Sequence, residues 1–240
     1  MIVLITGGAS GLGKSITEKM AQQNDILVYF TYHNSLESAN DIESRYKNTR
    51  SIYCNFNDMG SVMELIKKIG EINLDVIVNN AFAGKIEKQY FHKTDLSVFT
   101  NSFKSNIEPL ITLNKEVINV FRKKKSGKII TILTSYLINR PPTGLSEYVA
   151  QKAYIHSLTK SWATENGQFN ITSNCISPSI MLTNLTSDTD ERIIEEMISK
   201  HPLKRLLEKD EVANTVVFLS QVTNHMNGAN IIINAASDVV

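Results

Sequence analysis

Apolar residues along the chain fall into short unbroken runs, separated by stretches in which they return every three or four positions. The runs Ile2–Thr6, Ile26–Thr31, Arg50–Asn55, Leu74–Asn79, Lys128–Leu133, Ile171–Ile176 and Asn230–Ile233 read as strands. The segments Leu12–Gln23, Leu36–Lys47, Met59–Gly70, Leu96–Lys124, Tyr148–Asn166 and Lys209–Ser220 read as helices with one apolar face. Strands alternating with helices predict right-handed crossovers and a parallel sheet covered on both sides. The run Asp75-Val76-Ile77-Val78 suits a central strand buried on both faces. The expected architecture is therefore α/β: a Rossmann-type, doubly wound parallel sheet of about seven strands with helices on both faces. No repeat, low-complexity run or linker divides the 240 residues, so a single domain over 1–240 is expected.

Composition narrows the classes without naming one. A hydrophobic fraction of 42% and a charged fraction of 20% are ordinary for a globular protein. A formal net charge of +1 offers no general attraction to nucleic acid or to anionic membranes, so neither is an expected partner. Cys54 and Cys175 both lie in strand-like segments, where buried free thiols are the default and a reducing cytoplasm fits. No apolar run reaches spanning length. The chain enters a strand and a Gly-rich turn directly, which is not the pattern of a signal peptide. No metal site is expected.

Two constellations carry chemistry. Thr6-Gly7-Gly8-Ala9-Ser10-Gly11-Leu12-Gly13 follows the first strand and opens a helix. Gly7 can take a tight turn, Gly11 lets backbone approach a pyrophosphate, and Gly13 permits helix to pack on strand; the helix N-terminus then offers free N–H groups to phosphates. The second is Tyr148-Val149-Ala150-Gln151-Lys152, where four-residue spacing on a helix puts a phenol and an ammonium on one face. A nearby cation favours the phenolate and draws a phenol pKa of about 10 toward the working range.

With these motifs the chain resembles the short-chain dehydrogenase/reductase family over essentially its whole length, in the order Thr6–Gly13, Asn79-Asn80-Ala81, Asn106, Ser135, Tyr148, Lys152 and Pro178–Thr183. The resemblance implies that Tyr148 passes a proton to or from the substrate oxygen, and that Lys152 lowers the Tyr148 pKa and bonds the nicotinamide ribose. It implies that Ser135 holds the substrate oxygen, and that Asn106 keeps a water beside Lys152 as a proton relay. Thr134 is the alternative to Ser135, because Ser135 stands one residue further from Gly127 than is common, although its thirteen-residue distance to Tyr148 is usual. Further cofactor contacts are implied for Gly7, Ser10, Gly11, Leu12 and Gly13, and for Asn55, Phe56, Asn80, Ala81, Pro178 and Ile180. Thr183 is expected to bond the nicotinamide carboxamide.

Several positions depart from the family pattern. Asn-Asn-Ala-Gly reads Asn79-Asn80-Ala81-Phe82, which puts a ring where backbone usually lies next to the cofactor. Pro-Gly reads Pro178-Ser179, and Asp-Gly-Gly reads Asn234-Ala235-Ala236. At the end of the second strand, where an Asp would bond both ribose hydroxyls, stand Tyr32, His33 and Asn34; NADP is favoured, with NAD the alternative. The most similar activity is that of the 3-oxoacyl-carrier-protein reductases. A sugar or polyol dehydrogenase is the runner-up, and a non-catalytic, cofactor-sensing binding protein is the reading from another class. Substrate contacts are assigned to Tyr136–Glu147 and to Met181–Leu203, the latter either a flap or a solvated amphipathic helix. The cluster Arg122-Lys123-Lys124-Lys125 with Lys128 is either a helix C-terminus favoured by the dipole or a dock for an acidic carrier protein. Apolar residues on Leu96–Lys124 (Phe99, Phe103, Leu110, Val117, Phe121) and on Tyr148–Asn166 (Ala150, Tyr154, Leu158, Trp162) point to a homo-tetramer, or else a dimer.

Overall fold

The computed structural model describes residues 1–84, 86, 88–138, 140–182 and 190–239. The elements run β1 (Ile2–Ile5), α1 (Gly11–Ala21), β2 (Leu27–Tyr32), α2 (Leu36–Arg45), β3 (Thr49–Tyr53), α3 (Met59–Glu71), β4 (Val76–Asn79) and α4 (Leu96–Ser102). They continue as α5 (Glu108–Lys124), β5 (Gly127–Ile132), α6 (Ser146–Asn166), β6 (Ile171–Pro178), α7 (Glu191–Lys200), α8 (Lys209–Gln221) and β7 (Asn230–Ile233). Among the described residues the strands form one sheet in the order β3-β2-β1-β4-β5-β6-β7, with every neighbouring pair parallel.

Strand alternation divides the core into two layers. Val3 and Ile5 of β1, with Val76 and Val78 of β4, pack toward α1, α2 and α8. Leu4 and Ile77, one residue out of phase, pack toward α3 and α5. The doubly buried β4 expected from its apolar run is present. Apart from the helix expected over Leu96–Lys124, strand and helix ends lie within two residues of the expected bounds, and α7 occupies part of the region where flap and helix were both open. Asp190 caps α7 by accepting a hydrogen bond from the Arg192 N–H at 2.8 Å. Among the described residues no helix is long and apolar enough to cross a membrane.

The single helix expected over Leu96–Lys124 is broken. A π turn over Phe103–Ile107 joins α4 to α5, and Pro109 follows in the first turn of α5. Proline lacks the N–H that would continue the ladder back to Ser105, so the turn widens there instead of running through. The turn presents Asn106 beneath the loop that leaves β4.

Candidate active site

Order reverses at β1, whose neighbours are β2 and β4, so the C-terminal ends of β1 and β4 part and leave a crevice between their loops. The Gly-rich turn fills one side. Gly7 (φ +65°) and Gly11 (φ +53°) take left-handed backbone, and the Gly7 N–H donates to Thr31 Oγ1 at 2.8 Å. A Cβ on Gly13 would lie 2.0 Å from the Gly7 carbonyl oxygen, so only glycine lets α1 start against the turn. Ser10 makes no side-chain cap on α1, which leaves the first-turn N–H groups free toward the crevice. A bare backbone cradle with an uncapped helix end fits a dinucleotide pyrophosphate.

Thr6 ties the other side in place. Its Oγ1 donates to the Val78 carbonyl at 3.2 Å and accepts from the Asn80 and Ala81 N–H groups at 2.9 and 3.0 Å. Below it, the Asn79 and Asn114 carboxamides exchange hydrogen bonds at 2.9 and 3.0 Å in full burial. The sequence points to Asn79-Asn80-Ala81 as fixing the central strand and its turn, as these bonds do, but not to the partners Thr6 and Asn114. Asn114 had a usable signal, since it lies on the α5 stripe of Leu110, Val117 and Phe121, where a polar residue needs a buried partner.

The crevice opens into a cleft of about 960 Å³. Gly7, Ser10, Gly11, Leu12 and Gly13 line it, as do Tyr32, His33, Asn55 and Phe56. So do Asn80, Ala81, Tyr148, Lys152, Pro178 and Ile180; Thr183 and the polar run Ser187-Asp188-Thr189 lie outside the described residues. Of the expected substrate segments, Tyr136, Pro142 and Leu145 from one and Met181 and Met197 from the other reach the wall.

Tyr148 and Lys152 stand together near the start of α6. Burial pushes the Tyr148 phenol up to about 12, against a hydrogen bond with the Thr134 side chain, which lowers it. Burial also pushes Lys152 down to about 8; its Nζ donates to the Ile132 carbonyl at 3.0 Å and stands 5.9 Å from the Tyr148 ring centre. The expected lowering of the Tyr148 pKa by Lys152 is not seen: the ammonium is turned to a carbonyl, and desolvation of the phenol dominates.

The structure brings Thr134, not Ser135, to Tyr148. Past β5 the chain stays extended through Thr134, so Ile132 and Thr134 present to the cleft. Ser135 begins a short 3-10 turn over Ser135–Leu137; it is buried and does not line the cleft. Thr134 Oγ1 accepts from the Tyr136 N–H at 3.3 Å, which fixes its rotamer. The Asn106 carboxamide is likewise committed: its Oδ1 accepts from the Ala83 N–H at 2.7 Å and its Nδ2 donates to the Ala83 carbonyl at 3.3 Å. It clamps the loop after β4 and does not line the cleft.

The basic cluster sits elsewhere. It closes α5 and starts β5, at the N-terminal rim of the sheet, whereas the cleft lies at the C-terminal rim. A six-residue strand separates the two by roughly 20 Å. Arg122 lies over the Phe169 ring, Lys124 pairs with Asp75 and Lys128 donates to the Val222 carbonyl, so these three serve the fold, while Lys123 and Lys125 are exposed.

A family model described as enoyl-(acyl carrier protein) reductase matches residues 7–235. The chain belongs to the short-chain dehydrogenase/reductase family. It is 31% identical to the 3-oxoacyl-(acyl-carrier-protein) reductase FabG of Buchnera aphidicola subsp. Schizaphis graminum, over 96% of this chain and 94% of that one. It is 28% identical to the protein of the same name from Staphylococcus epidermidis, over 96% of both. A solved structure titled short chain dehydrogenase/reductase family protein superposes with a TM-score of 0.84 at 25% identity, over 98% of this chain and 96% of that one. As a short-chain dehydrogenase/reductase the chain is an NAD(P)-dependent oxidoreductase acting on CH–OH and carbonyl groups.

Proposed function

We propose that this short-chain dehydrogenase/reductase reduces the 3-oxo group of acyl thioesters presented on an acyl carrier protein, with NADPH as reductant. The observation that carries the reading is the convergence of the Thr134 and Tyr148 hydroxyls beside Lys152, at the foot of a cleft whose far end is the Gly-rich turn. The curated relatives named for this reaction support the substrate class.

The bound dinucleotide supplies the hydride; the chain supplies position and a proton. Tyr148, fully protonated at neutral pH, gives its proton to the carbonyl oxygen. Thr134 donates a second hydrogen bond to that oxygen and holds it against the phenol. Lys152 would hold the nicotinamide ribose hydroxyls and so keep the dinucleotide against Tyr148. Asn106, through Ala83, keeps the loop after β4 at the distance both partners need. Thr134→Val, which removes the hydroxyl at nearly constant shape, is expected to lower kcat/KM on the order of a hundredfold. Ser135→Ala is expected to stay within about threefold, and steady-state kinetics of the two variants decides between the hydroxyls.

The 2′-phosphate reading rests on what surrounds Tyr32 and His33. Among the described residues no carboxylate lines the cleft beside them, and α2 starts without a side-chain cap, leaving N–H groups for an anion, with Glu37 in its first turn as the opposing charge. Lys14 is taken by Asp41 at 3.5 Å and is not counted among the ligands. We also propose a cytoplasmic homo-tetramer. The residues expected to mediate it are only partly available: Val117 and Phe121 are spent on the core, while Phe103 and Tyr154 remain exposed, with rings 5.7 Å apart.

Consumption of NADPH and of NADH with an acetoacetyl thioester, followed at the nicotinamide absorbance, tests the reading. Polyols with the oxidised cofactors provide the contrast. Reduction of the thioester with NADPH preferred about tenfold or more is the expected result. Activity confined to polyol oxidation would assign the site to small secondary alcohols instead.

A further inference from the structure

Phe82 lines the cleft, and neither the proposed mechanism nor the cofactor contacts use it. It stands where the family pattern has glycine, directly after Asn79-Asn80-Ala81. Its ring meets the Tyr148 ring edge-on, with centres 5.6 Å apart and planes at 74°. The same ring lies over the Lys152 ammonium, with Nζ 5.6 Å from its centre. Tyr148 and Lys152 share a face of α6, and Phe82 touches that face from the opposite wall. Ala83, its neighbour, is fixed by both arms of the Asn106 carboxamide, so the backbone that carries the ring is held at two points.

We propose that Phe82 is a positioning residue for the Tyr148–Lys152 pair: its ring braces the phenol from the side and roofs the ammonium, closing the loop side of the cleft to water. A glycine at this position would leave backbone alone over the pair and open a path for solvent. The inference deepens the proposed function, because it concerns the same proton donor, but it can be read without turnover.

Lys152 is the better reporter, since its pKa of about 8 lies in a range where the folded chain can be titrated. The groups around it are few. Tyr148 shares its helix; Cys175 on β6 faces it and favours its charged form; and Lys160 acts on Cys175 from α6. Tyr136 faces the Tyr148 end. Of these only Tyr148 touches Phe82, and its phenol, at about 12, stays neutral while Lys152 titrates. Admitting water to the ammonium raises its pKa, whereas loss of the ring face alone would lower it slightly. The two effects have opposite signs, so the direction of change identifies which role the ring plays.

The test is an NMR titration of lysine ¹³Cε resonances in the parent, Phe82→Gly and Phe82→Leu, with Lys152 assigned by its absence in Lys152→Met. The expected result is a rise of the Lys152 midpoint by about one pH unit in Phe82→Gly and a smaller rise in Phe82→Leu. Should Phe82→Gly fail to fold, Phe82→Leu carries the test alone. An unchanged or lowered midpoint overturns the inference. A raised midpoint in a protein that reduces no carbonyl would sustain the role of Phe82 while removing the proposed reaction.

Discussion

Tyr148→Phe is expected to lower kcat for carbonyl reduction by about a thousandfold or more while leaving NADPH affinity within about threefold. The substitution deletes one oxygen from a half-buried ring that is otherwise held by Phe82 and by its own helix, so the cleft keeps its shape. What disappears is the proton for the developing alkoxide. Thr134 cannot replace it, because an aliphatic hydroxyl is far too weak an acid to give up its proton at neutral pH, although it still binds the oxygen. The split between rate and affinity is the informative part. Fluorescence of the bound reduced nicotinamide measures affinity apart from turnover. A variant that lost affinity as steeply as rate would place Tyr148 in cofactor binding and not in proton transfer.

Lys152→Met is expected to make the protein more stable and nearly inactive. A buried Lys whose pKa falls from 10.5 to about 8 carries a folding penalty near neutral pH of about 3 kcal/mol. Removing it also leaves the Ile132 carbonyl without its donor, which costs on the order of 1–2 kcal/mol. The net gain at pH 7 is about 1–2 kcal/mol, or a rise in Tm of roughly 3–6 °C for a chain of this size. The gain depends on pH within a defined window. Below about pH 8 the ammonium is protonated in both states and the folded chain bears the full penalty. Between about pH 8 and 10.5 the unfolded chain binds more protons, so parent stability rises with pH and the advantage of the variant shrinks. Melting curves at about pH 7 and pH 10 check this. Equal advantages at both would show that the ammonium is not penalised. The loss of activity, about a hundredfold or more, is what the proposed function expects once the ammonium assigned to the ribose is gone.

The fold and the glycine-lined half of the cleft were legible because they rest on backbone rules. Glycines at Gly7, Gly11 and Gly13 mark conformations and approaches that other residues cannot make, and apolar runs between periodic helices permit few sheets. The chemical half was legible only where residue type and helical spacing coincide, as at Tyr148 and Lys152. Ser135 was favoured from its distance to Tyr148, yet that distance crosses an irregular loop that absorbs an extra residue. The strand is the stiffer ruler, and counting from Gly127 along β5 leads to Thr134. The break between α4 and α5 was signalled by Pro109 but hidden by the long apolar pattern around it. The depressed Lys152 and raised Tyr148 pKa values depend on three-dimensional burial, which spacing on one helix does not report. The clamp of Asn106 on Ala83 joins segments 23 residues apart and has no local signature.

The measurement that tests the central claim most directly follows a deuterium label from C4 of reduced NADP to the product of an acetoacetyl thioester. The account predicts a 3-hydroxyacyl product carrying the label on C3, formed by the parent at full rate and by Tyr148→Phe about a thousandfold more slowly. An unlabelled product, or a Tyr148→Phe variant that transfers the label at the parent rate, would contradict it.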